Sequence, residues 1–178
     1  VRILGVDPGS RAAGWAVVSF DDSPRLVAAG VLRPPTDTPF AERLRALHDG
    51  LLAVAERERP DEAAVERVFS GVNPQSLITL GEARGVLLLA LARAGIPVHE
   101  VTPAEIKKTV TGTGQAGKEQ VRRMVLSLLG SPPGASRLAL DAADAAAAAL
   151  THGFRTSASR RAARSAATVS PVRPRVGG

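Results

Sequence analysis

The chain has 178 residues but no cysteine, no tyrosine, one tryptophan and one methionine, and only 3% of it is aromatic. Without cysteine there is no disulfide framework, no thiolate-held zinc or iron–sulfur cluster, and no thiol nucleophile. The three histidines, His48, His99 and His152, lie far apart in the sequence, which argues against a His-rich metal site. Any metal is therefore expected on oxygen ligands, the chemistry of Mg²⁺ or Mn²⁺. No uninterrupted apolar run reaches membrane-spanning length, and the N-terminus lacks the basic-then-apolar pattern of a signal peptide. The expected setting is the cytoplasm, with no membrane partner.

What is present is charge, unevenly placed. The net charge is +6, yet residues 155–178 hold six arginines (155, 160, 161, 164, 173 and 175) and no acid. Taking these six from the 23 basic residues leaves 17, matched by the 17 acids, so residues 1–154 form a neutral body. The length suits one domain, 1–154, followed by a basic tail, 155–178. Rich in Ser, Ala and Pro, the tail has few large apolar groups to offset its ordering entropy and is expected to be disordered. It is either a solubilising extension or a source of non-specific phosphate contacts that salt would weaken.

Three apolar runs, Val1–Val6, Trp15–Phe20 and Leu26–Leu32, are separated by turn signals and predict an antiparallel meander. The period then changes. Phe40, Leu44, Leu47, Leu51 and Val54 form one helical stripe, with Thr38 as N-cap, Pro39 at the first helical position and Pro60 as terminator. A fourth strand is expected over Glu62–Phe69, a largely apolar helix over Leu77–Ala94 and a fifth strand over Ile96–Val101. Thr102-Pro103 opens a short helix. Another covers Lys118–Leu129, and a last one runs from near Asp141 to His152. The result is an α/β fold: a mixed five-stranded sheet, three antiparallel then parallel strands, flanked by helices. The helix over Leu77–Ala94 is apolar on most sides and needs two covers, one of which a second subunit could supply.

Four carboxylates fall where a site could form. Asp7 ends the first strand before Pro8-Gly9, a position that also suits a plain turn residue. Glu66 lies in a predicted central strand, where a charge is costly unless paired or bound to a cation. Its neighbour Arg67 points to the opposite face. Asp141 and Asp144 share one helix face at i and i+3, near the N-terminus, where the helix dipole alone would favour acids. Around them, Ala142, Ala143 and Ala145–Ala149 make a surface smooth enough to lie close against a sheet. Carboxylates crowded together repel unless a cation sits between them. The four could converge as an all-oxygen site for two divalent cations, an arrangement suited to phosphodiester hydrolysis.

The segments Ile3-Leu4-Gly5-Val6-Asp7-Pro8-Gly9-Ser10-Arg11, Val65-Glu66-Arg67-Val68-Phe69, Gly81-Glu82-Ala83-Arg84-Gly85-Val86, Lys107-Lys108-Thr109-Val110-Thr111-Gly112 with Lys118, and Asp141-Ala142-Ala143-Asp144-Ala145 occur in order at characteristic spacing. In these segments the chain resembles the RuvC-family Holliday-junction resolvases of the ribonuclease H-like superfamily, over roughly residues 1–153. The resemblance implies that Asp7, Glu66, Asp141 and Asp144 are metal-binding catalytic acids for two Mg²⁺, with Mn²⁺ as a substitute. It implies a homodimer that nicks four-way DNA junctions symmetrically in recombination and repair, working with the branch-migration proteins RuvA and RuvB.

The densest basic cluster of the body is Lys107, Lys108, Lys118, Arg122 and Arg123. Lys118 begins a helix, where the dipole disfavours a cation and a phosphate would relieve it. The resemblance maps Lys107 and Lys118 to the scissile region, with Lys118 stabilising developing charge. Lys108 is expected as a further DNA contact. Gly112, Gly117 and Lys118 match a nucleotide P-loop by spacing only, because the loop is expected to follow a helix and Glu119 stands where Ser or Thr should hold Mg²⁺. Phe69 is either core or, as the resemblance implies, a stacking surface for opened bases. Ser70 and Asn73, with Gln75, could reach base edges. Three other readings compete: a sugar-kinase-like phosphotransferase, which would need two such domains, a generic nuclease of the same fold, and a junction-binding module whose acids are structural.

Overall fold

The structure is a computed structural model that describes residues 1–67, 73–130 and 138–168, the last segment with side chains to 157. Strands β1 (Arg2–Asp7), β2 (Ala13–Phe20) and β3 (Pro24–Leu32) form the antiparallel meander. Helix α1 (Phe40–Glu58) leads to β4 (Glu62–Glu66), and α2 (Pro74–Arg93) to β5 (Val98–Val101). Helices α3 (Pro103–Thr111), α4 (Lys118–Leu128) and α5 (Leu140–Thr168) follow. The sheet order is β3-β2-β1-β4-β5, with β4 parallel to both β1 and β5. This is the mixed five-stranded α/β sheet expected.

Strand alternation divides the core into two layers. Leu4, Val6, Trp15, Val17, Ala63 and Val65 face α1 and α2, meeting Leu47, Leu51, Leu87 and Leu91. Ile3, Ala16, Val18, Ala64 and Val101 face α5, with α3 and α4 beside it. Ala145–Ala149 are fully buried on that side. A Cβ on Gly5 would stand 1.8 Å from the carbonyl oxygen of Ala145, and one on Gly14 would stand 1.9 Å from that of Asp141. The backbone of α5 thus rests directly on β1 and β2, and only glycine fits beneath it.

Local structure departs from expectation in three places. Thr38 does not cap α1. Pro39 holds the cap position without a side-chain bond, while the Thr38 hydroxyl donates to the Pro35 carbonyl at 2.9 Å. The end of α1 is as expected: Arg59, at φ 47°, leaves the helix just before Pro60, because a following proline disfavours the right-handed helical region. Helix α2 starts at Pro74 because Asn73 Oδ1 accepts from the Ser76 N–H at 2.9 Å and Pro74 needs no donor partner at the first position. Most consequentially, α5 runs on to Thr168, so the first part of the segment expected to be disordered is helical. Ala and Arg are strong helix formers, and a helix nucleated by its packed half propagates at little cost.

Helix α2 takes α1 as its principal cover, with the sheet beneath, and leaves Ile78 and Leu89 more than half exposed. By length and composition alone it could cross a membrane, although Ala83, Leu87, Ala90 and Leu91 are buried within the fold.

Candidate active site

Asp7 and Glu66 are placed by strand register. Val6 pairs with Val65 across the parallel β1–β4 ladder, so the next residue of each strand is a carboxylate on the face toward α5. Adjacent strands lie about 4.8 Å apart, which brings the two acids together although 59 positions separate them. Arg67 leaves on the other face, and its Nε lies 3.3 Å from Glu100. Arg84 also pairs with Glu100, and its Nε donates to the Glu66 carbonyl at 3.4 Å, tying α2 to the end of β4.

The opening turns of α5 carry the other two acids. Asp144 joins Asp7 and Glu66 in lining a cleft of about 290 Å³. Lys107 from α3 and Lys118 from α4 complete its charged wall, and Ile106 and Val121 form its apolar side. Asp141 lies at the rim, its side chain 40% exposed and 4.0 Å from the Arg33 guanidinium. Lys108 is exposed and lies outside the cleft lining. Asn73 spends its carbonyl oxygen on the α2 cap. Phe69 and Ser70 lie outside the described residues.

The electrostatics are those of crowded anions. Asp7 is pushed up to about 8, first by burial and then by Glu66, Asp144 and Asp141, with Lys118 pulling the other way. Glu66 is pushed up to about 7 by burial and by Asp144, against Lys118 and Lys107. Burial also raises Asp144, Lys118 opposing and Asp141 adding to the effect. At neutral pH the cleft cannot carry its full negative charge unaided, and a cation among the carboxylates would expel their protons. The donors are all oxygen, so the group fits a hard divalent ion.

Lys118 opens α4 immediately after Gly117, which has no side-chain cap bond. The loop before it leaves α3 rather than a strand, so the P-loop spacing around Gly112 lacks its structural context.

Separation in sequence does not hold for two of the histidines in the fold. His99 and His152 stack with ring centroids 4.1 Å apart, and both lie close to Glu62. Distance in sequence concealed this because β5 and α5 meet only through the packed sheet. Sequence reasoning also missed Arg84 as a tie to Glu66; its place between Gly81 and Gly85 was visible, but its partners on other elements were not.

The family model described as crossover junction endodeoxyribonuclease RuvC matches residues 3–152. A crossover junction endodeoxyribonuclease RuvC of Paramagnetospirillum magneticum is 47% identical over 168 residues, covering 94% of this chain and 99% of that protein. One from Azorhizobium caulinodans is 50% identical over 154 residues, covering 85% and 89%. Among solved structures, Thermus thermophilus RuvC in complex with Holliday junction substrate superposes with a TM-score of 0.80 at 33% identity, covering 89% and 96%. The yeast mitochondrial Holliday junction resolvase Ydc2 shares the fold at a TM-score of 0.60 and 10% identity, covering 92% and 85%.

Proposed function

The chain belongs to the RuvC family of crossover junction endodeoxyribonucleases, and on that premise we propose that its carboxylate cleft hydrolyses phosphodiester bonds at four-way DNA junctions. The single observation that supports this site is the convergence of Asp7, Glu66 and Asp144 in one cleft with Lys107 and Lys118. Asp7, Glu66 and Asp144, with Asp141 at the rim, would hold two Mg²⁺, Mn²⁺ serving in their place. Bound there, such ions activate water and stabilise the leaving oxygen. The protein's own part is positioning and charge. Lys118, beside the acids, meets the phosphate and offsets negative charge as it develops. Lys107 holds the adjacent backbone, and Lys108, on the exposed side of α3, extends the basic track. Phe69, Ser70 and Asn73, around the β4–α2 connection, contact bases near the junction centre.

A four-way junction presents two equivalent strands, so symmetric nicking calls for two equivalent sites related by a twofold axis. The exposed side chains of Ile78 and Leu89 give α2 an apolar outer face suited to a second copy of the chain. Residues 1–154 form the nuclease domain, and the Arg-rich residues 155–178 add phosphate contacts. RuvA and RuvB would supply branch migration, with the cytoplasm as the compartment.

The deciding experiment is cleavage of a synthetic mobile junction with Mg²⁺ and with EDTA. Paired symmetric nicks only with Mg²⁺ are expected. Equal cutting of plain duplex would make it a general nuclease of the same fold, and tight binding without cutting would make it a junction-binding module.

A further inference from the structure

At the opposite end of β4 from the cleft, a second group of ligating side chains comes together. Glu62 and Glu66 stand on the same face of β4, about 13 Å apart at strand rise. His152 follows Asp144 by eight residues on α5, about 12 Å at helical rise. The same strand and helix therefore build a site at each end of their contact. At the far end His152 Nε2 lies 2.5 Å from Glu62 Oε2, and His99 Nε2, from β5, lies 3.7 Å from the same oxygen. The imidazoles are nearly parallel, 19° between planes. All three residues can present ligand atoms within 4.8 Å of one another.

We infer that Glu62, His99 and His152 form a second metal site, distinct from the all-oxygen cleft, which takes a zinc-class transition-metal ion and staples α5 to β4 and β5. Two imidazole nitrogens and one carboxylate oxygen are the donor set of zinc, whereas Mg²⁺ prefers oxygen alone. Tetrahedral bonds of about 2.0–2.2 Å set ligand atoms roughly 3.4 Å apart, so binding would part His152 Nε2 from Glu62 Oε2 and splay the stacked rings until both nitrogens aim at one ion. His152 is 1% exposed, Glu62 19% and His99 40%, so the ion would be held from within and reached from the His99 side. Burial lowers the pKa of His152, with Glu62 pulling the other way and His99 and Arg155 adding to the lowering, which favours the neutral ring that ligates.

Arg155 sets a condition. Its Nη2 lies 3.2 Å from His152 Nδ1, to which it can only donate. An imidazole that ligates through Nε2 keeps its proton on Nδ1, so metal binding must turn Arg155 away. Glu105, 3.7 Å from its Nη1, is placed to receive it. The guanidinium and the metal thus compete for one histidine. An ion here would take no part in hydrolysis; it would hold the register of α5, and with it Asp144, against β4.

The test uses the full chain, stripped with a chelator and titrated with Zn²⁺ in excess Mg²⁺ by calorimetry, alongside thermal melting. One Zn²⁺ per chain is expected, with a Tm rise of roughly 5–10 °C at a hundredfold excess over Kd. His99→Gln, at a partly exposed strand position that tolerates the change, should lose at least tenfold in Zn²⁺ affinity while melting normally without metal. Asp7→Asn/Asp144→Asn should bind Zn²⁺ as the wild type does, and Arg155→Met should bind it more tightly. Absence of Zn²⁺ binding, binding that survives His99→Gln, or binding lost in Asp7→Asn/Asp144→Asn would overturn the site. Unchanged affinity in Arg155→Met would overturn the competition.

Discussion

Replacing Gly14 with alanine tests whether the seating of α5 governs the cleft. The added methyl would stand 1.9 Å from the Asp141 carbonyl oxygen and 2.3 Å from its carbonyl carbon. Ordinary van der Waals contact begins at 3.4 Å, so the backbone must yield by about 1.5 Å. β2 sits inside the sheet, hydrogen-bonded on both edges, whereas the first turn of α5 follows a loop and is the softer partner. The helix start therefore lifts, carrying Asp141 and Asp144 away from Asp7 and Glu66. Because the atoms met are backbone, the cost lies at or above the upper end of the ~1–3 kcal/mol typical of overpacking, still less than the ~5–15 kcal/mol that holds a domain folded. A displacement near 1 Å at reacting groups can cost about a hundredfold in rate. Gly14→Ala should then fold, bind junctions close to normally, and cleave at least tenfold more slowly in single-turnover assays. A variant that cleaves within a factor of two or three of wild type, with its Tm unchanged, would refute the claim that close seating of α5 positions the acids.

The raised carboxyls give the metal-free protein a pH dependence of defined sign. Asp7, at about 8 when folded against an ordinary value of 3.8, contributes stability at low pH that is lost as pH rises through about 8, and Glu66 acts likewise through about 7. In EDTA the Tm should fall between about pH 5 and 8. Asp7→Asn should flatten that fall and raise the Tm at pH 8, and an Asn variant no more stable there would contradict it. Lys118→Ala should cut at least tenfold more slowly with little change in junction affinity, whereas an equal loss in both would make Lys118 a binding residue only. Ile78→Glu/Leu89→Glu should shift the chain to monomer in sedimentation analysis, and a surviving dimer would move the interface elsewhere. Deleting residues 158–178 removes five arginines and should weaken junction binding at low salt while leaving high-salt affinity unchanged. A loss independent of salt would mean that α5 itself had been damaged.

Much of the fold could be read from neighbours along the chain. Short apolar runs closed by turn signals marked the strands, the helical stripe from Phe40 to Val54 marked α1, and Thr102-Pro103 with Glu105 forms the capping box that opens α3. The four acids were legible individually, because a carboxylate at a strand end or in an alanine-lined helix is chemically conspicuous. Their unequal placement was not. Asp144 enters the cleft and Asp141 stays at its rim because of how α5 is rotated on the sheet, and that rotation is decided by Gly5, Gly14 and the buried alanines acting together.

By itself the sequence determined which segments become strands and helices, and that its four conspicuous acids offer only oxygen as ligands. These depend on periodicity and side-chain type, which local spacing carries. Only the tertiary structure decided which strands lie side by side, how closely α5 approaches them, and that two histidines 53 residues apart share one glutamate. Those outcomes follow from burying both sheet faces at once, a condition on the whole chain that no short window of residues contains.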